Sequence, residues 1–259
     1  MSVVCKFHHL GKVGWEVNGM KKVYACIGVA TLLLFSACNE VAEVEEEPVT
    51  EAVTSPQEDK HDQREQIKSQ LQQDILLPNP TVAKGNYLAT TVSDNGHVAQ
   101  ITYYESDKPY VINDDAIPAE AKLLARLKVT SFVSEAEVKK LVGHQDYTQA
   151  GGKPIQLNKS ITAYQDAGAG SVFTGWNEGN WAMSVRALTA NSEKGVTLAK
   201  EIVDYLDTHL LPPPVVGLLH ADAEGGDNQV ITWQMDHQLY HLDGNDIMTL
   251  LAVATSATQ

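Results

Sequence analysis

The segment SVFTGWNEGNWAMSV, residues 171–185, carries the clearest indication of the fold class of this chain. Two runs rich in β-branched and aromatic residues, Ser171–Trp176 and Trp181–Val185, flank the turn-forming segment Asn177–Asn180. This pattern predicts two antiparallel strands joined by a tight turn. Ser192 then reads as a helix cap, and apolar residues at helical spacing follow it on one face: Val196, Ala199, Ile202, Val203 and Leu206. We therefore expect a hairpin covered on one side by a helix.

A second stretch near the carboxyl end has the same order of features. Gln229–Trp233 and Leu239–Leu242 read as a hairpin, and Asn245 or Asp246 caps a helix from Ile247 to about Ser256. The two stretches, 171–209 and 229–257, read as a diverged internal repeat. Antiparallel strands buried on one face by helices predict an α+β domain.

The middle of the chain adds further elements. Asn95-Gly96 between β-prone runs predicts a hairpin with positive φ at both turn residues. The remaining predicted strands are 87–92, 97–104, 110–112 and 161–164, and the predicted helices are 58–77, 118–127 and 134–141, the last capped by Ser134.

A family resemblance rests on the two tryptophan hairpins. The pattern Trp-x-x-Gly-x-Trp at 176–181 with its helix, and the closing Trp233 hairpin and helix, resemble an uncharacterised domain in lipoproteins of Bacillus-type bacteria. More distantly, the region from about Gly151 to the end is similar to the lipoprotein-carrier and sigma-regulator sensor fold. The resemblance implies a curved antiparallel sheet covered by helices, with a lipidic or peptide ligand in the concave sheet. It offers no catalytic residues to carry over.

The amino-terminal region has the features of a secretory signal peptide. Met20-Lys21-Lys22 precedes the apolar run Val23–Phe35, which is shorter than the roughly 20 residues of a membrane span. Leu34–Cys38 resembles the lipobox of bacterial lipoproteins, although Phe35 stands where that motif usually has Leu. The resemblance implies cleavage before Cys38 and a fatty acid, such as palmitate, on that cysteine. The alternative is an uncleaved anchor with an incidental cysteine.

The predicted signal peptide and lipidation site define the expected division of the chain into segments. Trp15-Glu16-Val17 permits codons that form a ribosome-binding sequence before Met20, which predicts that residues 1–19 are a mis-assigned start. The alternative is an unusually long segment before the apolar run of the signal. Residues 20–37 are then the signal peptide, 38–60 an acidic disordered tether, and 61–259 the α+β globular domain. The protein is expected on the extracytoplasmic face of the cell membrane, with the membrane as one partner.

Charge and cysteine content exclude several functions. The formal net charge is -14, and four of the 19 basic side chains but one of the 33 acidic ones precede Cys38. A domain this acidic lacks the basic clusters that nucleic acid requires. The three cysteines all lie at or before Cys38, which excludes thiol catalysis and a cysteine-based zinc site from the globular part.

The polar residues give weak signs of chemistry. His220-Ala-Asp222-Ala-Glu224, Asp236-His237 and His241 could in principle hold Zn²⁺, but they read as solvated turns. We therefore expect no metal, no cofactor and no catalytic residue. A metal-assisted envelope hydrolase that uses the region from His220 to His241 stays as an alternative.

The tryptophans supply the candidate binding residue. Trp176 and Trp233 read as core, whereas Trp181 follows a polar turn and is expected to face a ligand or partner. The sequence thus favours a lipid-anchored binding or sensing module for a small apolar, lipidic or peptide ligand, or for an envelope protein. A passive structural lipoprotein of the envelope is the third possibility.

Overall fold

The computed structural model describes residues 56–258, with side chains from residue 63 onward. Its helices are α1 (Pro56–Gln70), α2 (Ile117–Glu120), α3 (Glu135–Val142), α4 (Ser192–Leu206) and α5 (Ile247–Thr255). Its strands are β1 (Tyr87–Asp94), β2 (Val98–Ser106), β3 (Lys122–Ser131), β4 (Lys153–Gln156), β5 (Thr162–Gly168), β6 (Ser171–Glu178), β7 (Trp181–Leu188), β8 (Gly217–Asp222), β9 (Gln229–Met235) and β10 (Gln238–Gly244). The helices among residues 56–258 are all too short or too polar to span a membrane.

The ten strands form one open sheet in the order β1-β2-β3-β10-β9-β8-β7-β6-β5-β4. Every neighbouring pair is antiparallel except β7 and β8, which run parallel because α4 carries the chain back between them. This arrangement confirms the predicted α+β class. The predicted signal peptide and the larger part of the predicted tether lie outside the described residues, and α1 begins at Pro56, inside the last part of that tether.

The two faces of the sheet have different coverings. One face, here called the core face, packs against α1, α4 and α5 in a continuous apolar cluster that includes Ile67, Val185, Ile202, Trp233 and Leu250. The other, here called the open face, carries α3. Gln234, which alternates with Trp233 on β9, donates from Nε2 to the carbonyl of Glu135 at the start of α3.

Both halves of the predicted repeat contain the predicted elements. β6, β7 and α4 form one hairpin with its helix, and β9, β10 and α5 form the other. The Asp246 carboxylate accepts from the Thr249 backbone N–H at 2.7 Å, which confirms Asp246 as the cap of α5. The prediction of Ser192 as a cap is wrong, because α4 begins at Ser192 itself.

Residues 118–127 do not form the predicted helix. One helical turn, α2, ends at Glu120, and β3 begins two residues later. The alternating burial of Ala125, Leu127 and Val129 belongs to a strand between β2 and β10. Two long neighbours therefore override the helix propensity of Ala, Leu and Arg.

Other boundaries also differ from the predictions. The first helix ends at Gln70 instead of Leu77, and residues 110–112 are irregular backbone and a turn. The β1–β2 hairpin is confirmed, but its turn centres on Gly96 and His97, since the Asn95 N–H donates to the Val98 carbonyl. Gly96 has φ +81°, whereas Asn95 keeps a negative φ and instead accepts from two backbone N–H groups through its side chain.

Candidate functional site

Trp181 lies in the core and does not face solvent. Its side chain is 6% exposed, and its ring lies over Gly217 of β8. A Cβ at residue 217 would come within 2.3 Å of the ring. The expectation that Trp181 is exposed is wrong, because strand alternation turns it towards the core face, where the cluster of buried apolar side chains encloses it.

Three aromatic residues form a row on the core face, here called the aromatic layer: Trp181, Trp233 and Tyr240. The strand register aligns Trp181 with Gly217, Gly217 with Trp233, and Trp233 with Tyr240. Because Gly217 has no side chain, the two indoles approach across β8, with centroids 6.3 Å apart and planes at 50°. Trp233 and Tyr240 stack at 4.9 Å and 15°. Trp233 was predicted to be core, and its full burial confirms this.

One polar group of the aromatic layer lacks a partner. The buried Trp233 Nε1 has no hydrogen-bond acceptor among the described residues. The Tyr240 hydroxyl, by contrast, donates to Gln238 Oε1 at 2.8 Å and accepts from the Leu76 N–H at 2.9 Å. Burial raises the pKa of Tyr240 to about 12, so this hydroxyl stays protonated near neutral pH.

The third buried indole is fully bonded. Trp176 is core, as predicted, and its Nε1 donates to Glu178 Oε1 at 2.7 Å. Burial raises the pKa of Glu178, the hydrogen bond from Trp176 partly offsets this, and the charge of Asp207 adds to the increase. Trp176 and Trp233 thus share burial but differ in whether the donor is satisfied.

The open face carries two similar polar clusters. His220 on β8 and His241 on β10 each place Nδ1 at 2.9 Å from a hydroxyl, that of Ser184 and that of Thr232. Two residues further along each strand lies an ion-paired aspartate: Asp222 pairs with Arg186 at 2.7 Å, and Asp243 with Arg126 at 2.6 Å. Burial lowers the pKa of both imidazoles, and the neighbouring aspartates oppose this decrease.

The histidines do not converge on a common point. His220 on β8 pairs with Val230 of β9, whereas His241 on β10 pairs with Thr232 of β9. The two histidines are therefore separated by β9 and offset by two residues along it. Within residues 56–258 no group of three or more His, Cys, Asp or Glu residues is placed to hold a metal ion. The interpretation of His220 as a turn residue is wrong, because it lies in β8, whereas His241 lies in β10, within the strand predicted at 239–242. A continuous apolar run, Val215–Leu219, was the sequence signal for the missed strand β8.

The Ser184–His220 pair has part of a nucleophile-and-base geometry. A catalytic serine also needs a third group that orients the histidine. Asp222, the nearby carboxylate, is instead paired with Arg186. Ser184 is buried, and the ring of Tyr147 occupies the space above its neighbour Gly175. Ser184 and His220 therefore lack the orienting carboxylate of a nucleophilic serine site.

No protein-family model, curated protein or solved structure matches this chain. The resemblance to lipoprotein-carrier domains therefore stays an expectation from the sequence motifs. Cys38, the predicted lipidation site, lies outside the described residues.

Proposed function

We propose that this protein is a lipoprotein anchored through Cys38 to the extracytoplasmic face of the membrane, where its domain binds a small apolar or lipidic ligand. The ligand lies in the aromatic layer, between the sheet and its covering helices. The proposal includes the finer expectation that the sheet curves around this site. In this proposal Trp181 lines an internal ligand site and is not a contact residue on the surface.

The observation that carries the proposal is the unpaired Trp233 Nε1. A buried donor without an acceptor costs about 1–3 kcal/mol, and native proteins retain few such groups. The indole that carries this donor lies among buried apolar side chains, with the Trp181 ring on one side and the Tyr240 ring on the other. A ligand with an apolar body and one carbonyl, such as an acyl ester, a fatty acid or a peptide bond, complements this arrangement.

The binding test uses quenching of tryptophan fluorescence by a fatty acid brominated in mid-chain. We expect quenching of the exported protein, because bromine acts at short range and two indoles border the site. Trp233→Phe removes the donor and is expected to weaken apparent affinity by about two- to tenfold, the usual worth of one hydrogen bond. Trp176→Phe is the matched control, since it removes a buried indole whose donor is already satisfied.

The outcomes separate the candidate functions. Equal weakening in the two tryptophan variants assigns no role to the Trp233 donor. An absence of quenching in all forms contradicts the proposal and favours a passive structural lipoprotein. An acetylated apolar dipeptide amide serves as competitor: its displacement of the brominated acid identifies peptide carbonyls as ligands of the same site.

The anchor is tested separately. Cells are labelled with radioactive palmitate, and the wild type is compared with Cys38→Ser. We expect label on the wild type alone, because the thiol of Cys38 is the acceptor for the lipid. Equal labelling of the two proteins would remove the anchor from the proposal and leave the binding site unaffected.

A further inference from the structure

The segment Leu71–Pro80, here called the strap, crosses the core face between α1 and β1 as irregular backbone. Its apolar side chains pack against the main cluster: Leu71, Ile75, Leu76 and Leu77. The strap therefore completes the covering of the core face beside α5.

Side chains of other elements hold most of the strap. The Asp94 carboxylate accepts from the Gln72 and Gln73 N–H groups at 2.7 and 3.0 Å, and Gln238 donates to the Asp74 carbonyl at 3.0 Å. Further along, the Asn79 N–H donates to Ser256 Oγ at 2.9 Å. These bonds lie outside any helix or strand pairing, so opening the strap breaks them and exposes its apolar side chains, including Leu77 at 2% exposure, but leaves the sheet intact.

One of these bonds joins the strap to the aromatic layer. The hydroxyl of Tyr240, whose ring stacks on Trp233, accepts from the Leu76 N–H at 2.9 Å. The strap thus bonds directly to the residue that stacks on the indole with the unpaired donor. When Leu76 moves away, Tyr240 loses this bond and its ring is freer to leave Trp233.

We propose that the strap is the lid of the ligand site in the aromatic layer. The inference rests on the proposed function and adds the route of entry. Opening separates Leu76 from Tyr240 and lets the ligand reach Trp233, while α4 and α5 stay packed.

A disulfide across the strap tests the lid. Gln72→Cys with Asp94→Cys places a disulfide between the strap and β1, where the Gln72 N–H lies 2.7 Å from an Asp94 carboxylate oxygen. The reduced double variant is the reference, because it lacks the Asp94 bonds as well. No cysteine follows Cys38, whose thiol carries the proposed lipid, so the introduced pair supplies the free thiols. We expect the rate of quenching by the brominated fatty acid to fall at least tenfold in the oxidised protein and to recover on reduction.

A second pair of variants tests the bond itself. Tyr240→Phe keeps the stacked ring but removes the bond to Leu76, and it is expected to speed quenching by about two- to tenfold. Tyr205→Phe is the matched control, because its hydroxyl joins α4 to Thr255 on α5 and does not touch the strap.

The outcomes distinguish the lid from the site. Equal quenching rates in the oxidised and reduced protein overturn the lid and leave the proposed function standing. Quenching in neither form overturns both. An equal acceleration by Tyr205→Phe and Tyr240→Phe also overturns the lid, since general loosening of the domain then explains the change.

Discussion

The indole of Trp181 lies over the backbone of Gly217, a residue on the neighbouring parallel strand. This contact lets the side chain of Trp181 cross β8 and meet Trp233 on β9. Any larger residue at position 217 would fill the space that the ring occupies. The aromatic layer therefore depends on a glycine that contributes no side chain of its own.

Gly217→Ala is expected to lower the free energy of unfolding by about 1–3 kcal/mol, the range for overpacked cores. The added Cβ would lie 2.3 Å from the Trp181 ring, which must shift. Urea unfolding followed by circular dichroism measures the change. Gly168→Ala is the control, because its Cβ would meet nothing within 4 Å, and it should stay within about 0.5 kcal/mol of the wild type. Similar values for the two variants would contradict the contact.

Trp181→Ala is expected to cost about 3–5 kcal/mol of unfolding free energy, the range for deleting a buried aromatic side chain. Trp181 is 6% exposed, so the loss of unfolding free energy should lie in the range for core residues. Val133→Ala, at a fully exposed apolar residue, should change stability by less than about 0.5 kcal/mol. If Trp181→Ala changes the unfolding free energy by less than about 0.5 kcal/mol, Trp181 is not a core residue.

Glu178→Ala is expected to cost about 1–3 kcal/mol, because it leaves the buried Trp176 Nε1 without its acceptor. Glu178→Gln keeps an acceptor and should cost less. The raised pKa of Glu178 means that the folded state binds its proton more tightly than the unfolded chain. Its contribution to stability is full below the unfolded pKa and is lost as pH rises through the folded pKa.

The pH dependence of Glu178→Gln follows from that sign. Unfolding measured across the acidic range should show a smaller fall in stability with rising pH for Glu178→Gln than for the wild type. Parallel curves for the two proteins would show that the carboxyl of Glu178 titrates normally.

Protonation of His220 and His241 is expected to lower the stability of the domain at mildly acidic pH. The lowered pKa values of His220 and His241 favour their neutral forms in the folded state. This contribution is present above the unfolded value of about 6.5 and is lost as pH falls through the folded pKa. The surrounding charges are those of Asp222 and Arg186 for His220, and of Asp243 and Lys128 for His241.

Proton NMR of the imidazole C–H signals measures these pKa values directly. We expect both to lie below about 6.5, and the double variant His220→Gln with His241→Gln to flatten the loss of stability between about pH 7 and pH 5. Midpoints at or above 6.5 would show that neither imidazole is desolvated.

Local sequence patterns predict the helices, hairpins and buried residues whose signals span only a few neighbouring positions. The hairpins around Gly96 and Gly179, the helix that follows β7, the helix capped by Asp246 and the burial of Trp176 follow from turn chemistry, one cap and apolar spacing. These signals act over a few residues, so they survive without knowledge of the rest of the fold. The turn predicted at Asn95-Gly96 nevertheless lies one residue further along the chain, because the strand register decides which residues take positive φ.

Contacts between distant segments set the face of the sheet that each residue occupies and the strand that it meets. Lys122–Ser131 became a strand because β2 and β10 pair with it on both sides. Trp181 became internal because Gly217, far along the chain, aligns with it across the sheet. His220 and Ser184 meet for the same reason. A change of one residue in register reverses every face of a strand, and register is set by contacts between segments that a local pattern does not contain.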